Sequence, residues 1–143
     1  MVQVTPTVDD LISMIRSRVG KDLIEYHTGR RNRVFISVKN GSHRNVIRLF
    51  ASLQAHLSVI TSVDLGEDLE MVYHFEIKPL EVSLKTAAPK TNPRIETISD
   101  IFAPAAWYER EAMEMMGLII TNHPDPSHLF LPDDYDTCPL RRY

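Results

Sequence analysis

The sequence predicts an α+β fold: an antiparallel or mixed sheet in the order α-β-β-α-β-β-β-α, helices on one face, and an extended proline-rich C-terminal tail. Three observations lead there. The apolar period alternates between the helical spacing of i, i+3, i+4 and the strand spacing of two. Turn-forming residues punctuate each change of period. From Thr86 onward the composition shifts, and the last 26 residues carry four prolines, at 124, 126, 132 and 139. With 143 residues the chain is the size of one domain. Two segments are expected within it, a body over 1–96 and a helix plus tail over 97–143.

The first element is a helix. Thr7 is placed to cap it, with Asp10 three residues on as a shortened capping box. Val8, Leu11, Ile12, Ile15 and Val19 form one apolar stripe, and Gly20 ends it. Leu23 to His27 then alternates, with Leu23, Glu25 and His27 on one face and Ile24 and Tyr26 on the other. Gly29-Arg30-Arg31-Asn32 makes a turn into a second strand, Val34 to Val38, which Asn40-Gly41 breaks. Ser42 opens a second helix with Val46, Ile47, Leu49, Phe50, Leu53 and Leu57 as its buried side.

The period then returns to two. Ser58 to Leu65, Leu69 to Ile77 and Leu80 to Lys85 read as three strands of an antiparallel meander, joined at Gly66-Glu67-Asp68 and Lys78-Pro79. Met71, Tyr73, Phe75 and Ile77 share its core face; Val72, His74 and Glu76 face away. Ala87 to Arg94 reads as a loop with two prolines, and Ser99-Asp100 starts a short turn. Pro104 suits a first helical position, and a helix runs from about Ala105 to Met116 before Gly117 stops it. Leu118 to Thr121 carries the last strand signal.

Composition excludes several classes of function. Apolar residues at 43% and charged residues at 24% are ordinary for a globular domain, which excludes a disordered, collagenous or coiled-coil chain. A net charge of −3 supplies no global positive field for nucleic acid. The single cysteine, Cys138, excludes an intramolecular disulfide and cannot alone hold an iron–sulfur cluster or structural zinc. A reducing, cytoplasmic setting is expected. No uninterrupted apolar run approaches the ~20 residues that span a bilayer, and no basic leader precedes an apolar stretch.

The residues leave their chemistry open between sharp and plain readings. Glu111 and Glu114 are i, i+3 neighbours on the third helix, with Trp107 one turn earlier. They could ligate a metal or form an acid–base pair, or simply make a charged helix face. His123 and His128 flank Pro124-Asp125-Pro126-Ser127 ahead of Asp133, Asp134 and Asp136. That is a conceivable metal site, or a turn in which Asp125 bonds backbone amides. Arg30, Arg31 and Arg33 could touch RNA or decorate an exposed hairpin. No nucleophile–base pair and no glycine-rich phosphate cradle is present.

The C-terminal third adds a resemblance. Ile98-Ser99-Asp100-Ile101-Phe102, then Trp107-Tyr108-Glu109-Arg110-Glu111 through Glu114 to Gly117, resembles the signature of the 30 kDa subunit family of respiratory complex I. Asn122-His123-Pro124-Asp125, Leu131-Pro132-Asp133-Asp134-Tyr135 and Pro139-Leu140-Arg141-Arg142 continue it in order. Two departures stand out. Pro126-Ser127-His128 replaces the arginines and leucine usual after His-Pro-Asp, and Leu118 replaces an isoleucine. The short form is similar to the corresponding subunit of energy-converting, membrane-bound [NiFe] hydrogenases.

The resemblance implies a non-catalytic, cofactor-free structural subunit with no catalytic, cofactor-binding or metal residue of its own. It implies packing on a large catalytic subunit beside a small iron–sulfur subunit, in an assembly coupling ferredoxin-driven hydrogen evolution to ion movement. Nickel–iron and iron–sulfur centres would belong to those partners. The chain would sit peripherally on the cytoplasmic side of the membrane, held by its partners, without nucleic acid. The alternative is the equivalent subunit of a complex I type dehydrogenase. The expected partner surface comprises Trp107, Tyr108, Glu109, Arg110, Glu111 and Glu114 on the helix. In the tail it comprises His123, Pro124, Asp125, Asp133, Asp134, Pro139, Leu140, Arg141 and Arg142. A metal enzyme using Glu111, Glu114 and His123, and a nucleic-acid module using Arg30 to Arg33, are the rival classes.

Overall fold

The computed structural model describes residues 6–127 and 138–141. Helix α1 (Val8–Val19) starts as its capping residues dictate. Thr7 Oγ1 accepts the Asp10 amide at 3.2 Å, and Asp10 Oδ2 accepts the Thr7 amide at 3.1 Å. Leu11, Ile12 and Ile15 are its buried residues, while Val8 and Val19 are half-buried. Gly20, with φ +56°, ends the helix and begins a single 3₁₀ turn into β1 (Leu23–Thr28). Arg31 and Asn32, both at positive φ, make the tight turn to β2 (Arg33–Val38).

Helix α2 (His43–Ser52) is shorter than its apolar pattern predicts. Gln54 adopts a left-handed conformation and turns the chain, so Leu53 closes the helix and Leu57 belongs to β3 (His56–Asp64). Ser42 caps nothing; its hydroxyl donates to Asp22 Oδ2 at 2.7 Å.

Strands β4 (Asp68–Ile77) and β5 (Leu80–Pro89) complete a five-stranded sheet of order β1-β2-β5-β4-β3. The three later strands form the expected antiparallel meander, but β2 pairs with β5 in parallel, so the sheet is mixed. Strand β5 also runs four residues past Lys85, where a loop was expected from Ala87 onward. The reason is its partner: β4 has ten residues, and Leu69 and Asp68 find their cross-strand mates in Ala88 and Pro89. Such pairing is a tertiary constraint that local periodicity does not carry.

Alternation assigns the core face as expected. Met71, Tyr73, Phe75 and Ile77 are buried together with Val34, Ile36, Val82 and Leu84. Phe75 meets Phe50 of α2 edge-on at 5.2 Å and Phe102 at 5.1 Å. Each such side chain contributes roughly 1.5–3 kcal/mol through burial. The opposite face carries Phe35, His74, Ser83 and Lys85, half-buried, with Val72 buried among them.

A second, small sheet joins β6 (Arg94–Glu96) to β7 (Ile119–Thr121) in parallel, with α3 (Ala105–Met116) between them in sequence. Strand β6 was not expected; three residues show no periodicity. It ends at Glu96, so the two segments divided at 96/97 are tied by the β6–β7 pairing. Of the tail, His128, Pro132, Asp133, Asp134, Tyr135, Asp136, Arg142 and Tyr143 lie outside the described residues. Among the described residues, no helix is long and apolar enough to cross a membrane.

Candidate functional site

The signature residues converge where α3 crosses the β6–β7 pair. Glu109 is wholly buried at this crossing. Its Oε2 accepts the Ile98 amide at 2.9 Å and its Oε1 accepts the Thr97 hydroxyl at 2.5 Å. The carboxyl therefore fastens α3 to the chain leaving β6. Burial raises its pKa from an ordinary 4.5 to about 7, against the opposing effect of the Thr97 and Ile98 bonds. Expected in the partner surface, Glu109 instead serves this chain's own backbone: it sits on the inward side of α3, beside Ala105 and Ala112.

His123 occupies the same crossing, its side chain 1% exposed. Nδ1 accepts the Asp125 amide at 3.0 Å, and Nε2 faces the Ala106 carbonyl at 2.9 Å. Those two partners define the Nε2–H tautomer. The same Nε2 is 3.9 Å from Glu109 Oε1.

Arg110 points the other way and clamps the turn that follows. Its Nε and Nη2 donate to the carbonyl and hydroxyl of Ser127 at 3.2 and 3.1 Å, and Nη1 lies 3.6 Å from Asp125. Asp125 accepts both the amide and the hydroxyl of Ser127, which holds its carboxyl below the usual range. The turn reading of Asp125 is thus the observed one. Ser127, one of the departures from the family pattern, completes the clamp.

On the far side of β6, Arg44 from α2 forms a two-pronged pair with Asp100, both bonds 2.8 Å, and donates to the Thr97 carbonyl. The guanidinium holds the Asp100 carboxyl low. His43, buried and stacked on Tyr73 at 5.8 Å, faces the Glu96 carbonyl at 3.0 Å. Tyr73 was expected from sequence only as a core-face residue, and none of Arg44, His43 or Thr97 was singled out as a site residue. Arg44 and Asp100 are 56 residues apart, and no local pattern joins them.

The end of the tail folds onto the C-terminus of α3. Gly117 has φ +78°, and a Cβ there would lie 2.9 Å from Cys138 Sγ and 3.0 Å from Arg141 Nη1. The Leu140 amide donates to the Met115 carbonyl at 2.9 Å, and Arg141 reaches the Lys90 carbonyl at 3.4 Å. Arg141, like Glu109 and His123, thus makes contacts within the chain. Tyr108 is half-buried, its hydroxyl on the Ser58 carbonyl.

What faces outward is Trp107, Glu111, Pro124, Pro139 and Leu140, with Ile119 of β7. Trp107 is 53% and Leu140 65% exposed, high for such apolar side chains. Glu111 is exposed and Glu114 buried, so the carboxylates paired by spacing do not share an environment. Among the described residues no three histidine, cysteine or acidic side chains gather as a metal group would require. At the basic turn, Arg33 pairs with Glu81 at 3.2 Å, on the rim of a shallow cavity lined by Phe35, His74 and Ser83.

A mixed sheet with helices on one face and a β6–α3–β7 crossing places the chain in a recognisable structural class. It superposes on a chain of the membrane-bound sulfane sulfur reductase, an archaeal respiratory membrane complex, with a TM-score of 0.79. That match covers 93% of this chain and 82% of the other at 22% identity. A trypsin-resistant fragment of Nqo5 gives 0.70 at 16% identity, over 82% and 98%. These likenesses concern the fold.

Sequence supplies the family. Residues 36–143 match the family of the respiratory-chain NADH dehydrogenase 30 kDa subunit, and the chain belongs to it. The beta subunit of the membrane-bound hydrogenase of Pyrococcus furiosus is 37% identical over 112 residues, 73% of this chain and 65% of that protein. An F420H2 dehydrogenase subunit from Methanosarcina mazei is 38% identical over 61% of this chain and 58% of its own length. An NADH-quinone oxidoreductase subunit from Chloroherpeton thalassium is 34% identical over 61% and 38%. The chain thus spans less than two thirds of each of these relatives.

Proposed function

We propose that this chain is a cofactor-free structural subunit of an energy-converting, membrane-bound [NiFe] hydrogenase complex, docked on the large catalytic subunit beside a small iron–sulfur subunit. The observation that carries the reading is the division of labour along the signature. Glu109 and His123 turn inward to hold the crossing and Arg110 is spent on the Ser127 turn, leaving Trp107, Pro139 and Leu140 as exposed apolar groups beside the exposed Glu111. Aromatic and aliphatic anchors of this kind dominate the energetics of protein interfaces. A proline-rich segment also loses less chain entropy on docking than a flexible one.

The hydrogenase form is favoured by the Pyrococcus furiosus relative, which matches the largest share of this chain among the three relatives described. The quinone-reducing form is the second reading, supported by the NADH-quinone oxidoreductase relative. In either complex the nickel–iron or iron–sulfur centres belong to partner subunits, and the chain sits peripherally on the cytoplasmic face. A mild-detergent pull-down through a tag at Met1, with mass spectrometry, nickel analysis and a hydrogen-evolution assay, tests this. A nickel-containing large subunit with ferredoxin-driven hydrogen production is the expected result. A nickel-free, quinone-reducing assembly moves the chain to the second reading, and recovery alone overturns both.

A further inference from the structure

We propose that Glu109 is a proton-controlled latch beneath the docking face, its carboxyl switching the Thr97–Ser99 hydroxyl pair and the His123–Ser127 turn between two hydrogen-bonded arrangements. The effect on docking rests on the reading above; the switch itself rests on geometry.

Thr97 Oγ1 lies 2.5 Å from Glu109 Oε1 and 2.8 Å from Ser99 Oγ, and it accepts the Ser99 amide at 3.0 Å. A hydroxyl has one proton, so Thr97 donates to Glu109 or to Ser99, never both. An ionised carboxylate takes the Thr97 proton. A protonated carboxyl donates to Thr97 Oγ1 instead, and the Thr97 proton turns to Ser99. The Ile98 amide keeps its acceptor in both states. Ser99 is partly exposed, which gives the buried acid a route for exchange with solvent.

The second arm runs through His123. Its Nε2–H bonds the Ala106 carbonyl while lying 3.9 Å from Glu109 Oε1. A negative carboxylate competes for that proton; a neutral one does not. Movement of the ring alters the acceptor of the Asp125 amide, and with it the turn that Arg110 clamps.

The other groups facing the acid are Arg44 of α2, Asp100 after β6, and Tyr73 of β4. The Tyr73 hydroxyl is fully buried without a hydrogen-bond partner among the described residues, and burial first, then the charge on Glu109, makes its proton harder to remove. His43, stacked on that ring, is held on the Glu96 carbonyl, and burial lowers its pKa. Burial lifts Glu109 to about 7, so the latch changes state near neutral pH.

The test is an NMR titration of the full-length chain from pH 5 to 9. The Glu109 carboxyl carbon should show a midpoint near 7, shared by the Ile98 and Asp125 amides. Glu109→Gln should abolish the shared transition, and Thr97→Val, which removes a donor to the carboxylate, should move the midpoint upward. A Glu109 midpoint below about 5, or amide shifts that persist in Glu109→Gln, would overturn the latch. If that variant does not fold, the wild-type carbon titration and the Thr97→Val shift decide. Pull-downs across the same pH range separate the two readings. A shared midpoint with no partner captured at any pH overturns docking alone, and capture without a shared midpoint overturns the latch alone.

Discussion

Replacing Glu109 by glutamine should raise the stability of this protein at alkaline pH and leave it nearly unchanged in acid. A carboxyl whose pKa rises from 4.5 unfolded to about 7 folded binds its proton more tightly in the native state. Its contribution is therefore fully present below pH 4.5 and is lost as pH rises through 7. At about 1.4 kcal/mol per pH unit the swing is about 3 kcal/mol. Glutamine keeps the essential bonds: its carbonyl accepts the Ile98 amide, and its NH2 group donates to Thr97. It cannot ionise, so its contribution is flat.

Urea unfolding of the full chain, followed by far-UV circular dichroism, measures this. At pH 5 the two proteins should agree within about 1 kcal/mol. At pH 8 the variant's midpoint should lie roughly 1–2 M urea above wild type. Asp100 and Asp125, with depressed pKa values, lose stability only as pH falls through the ordinary carboxylate range. His43, lowered by burial, destabilises the fold as pH falls below its ordinary 6.5. The Asp125 and His43 effects are common to both proteins and cancel in the difference, and Asp100, which faces Glu109, stays ionised in both from pH 5 to 8. Parallel pH profiles would refute the reasoning.

Three further outcomes are expected. Arg44→Ala should cost about 1–3 kcal/mol in the same assay by removing the two-pronged Asp100 bond and leaving the Thr97 carbonyl without its donor, and the Asp100 carboxyl should titrate higher by NMR. Gly117→Ala should cost about 1–2 kcal/mol for its left-handed backbone alone; the crowding against Cys138 and Arg141 should release the tail, read as faster modification of the Cys138 thiol. Trp107→Ala and Leu140→Ala should change the stability of the isolated chain by less than about 1 kcal/mol yet reduce recovery of the large subunit in the pull-down, and unchanged recovery would place the docking surface elsewhere.

The order of elements was readable because each is written in a local code. The Thr7/Asp10 box, the α1 stripe, the alternation of Met71 to Ile77 and the stop at Gly117 are all contained within a few residues. The family signature was readable for a related reason, since its residues are close in sequence. The extent of β5 was not, because Thr86 to Pro89 become a strand only through pairing with Asp68 to Met71. Nor was β6, whose three residues are ordered by a partner 25 positions away.

The direction in which each signature residue faces belongs to the tertiary structure. Sequence marked Glu109, Arg110, Glu111 and Glu114 as one polar cluster on one helix. Packing of α3 against β3 and β7 buries Glu109 and Glu114, turns Arg110 to the Ser127 turn and leaves Glu111 in solvent. Residue type and spacing determined that this segment is a family signature. What the buried Glu109 carboxyl bonds to, and so how its charge is held, depends on Thr97, Ile98, Arg44 and Tyr73. Those arrive from three other elements of the chain, and only the closed fold brings their dipoles and charges within reach of one carboxyl.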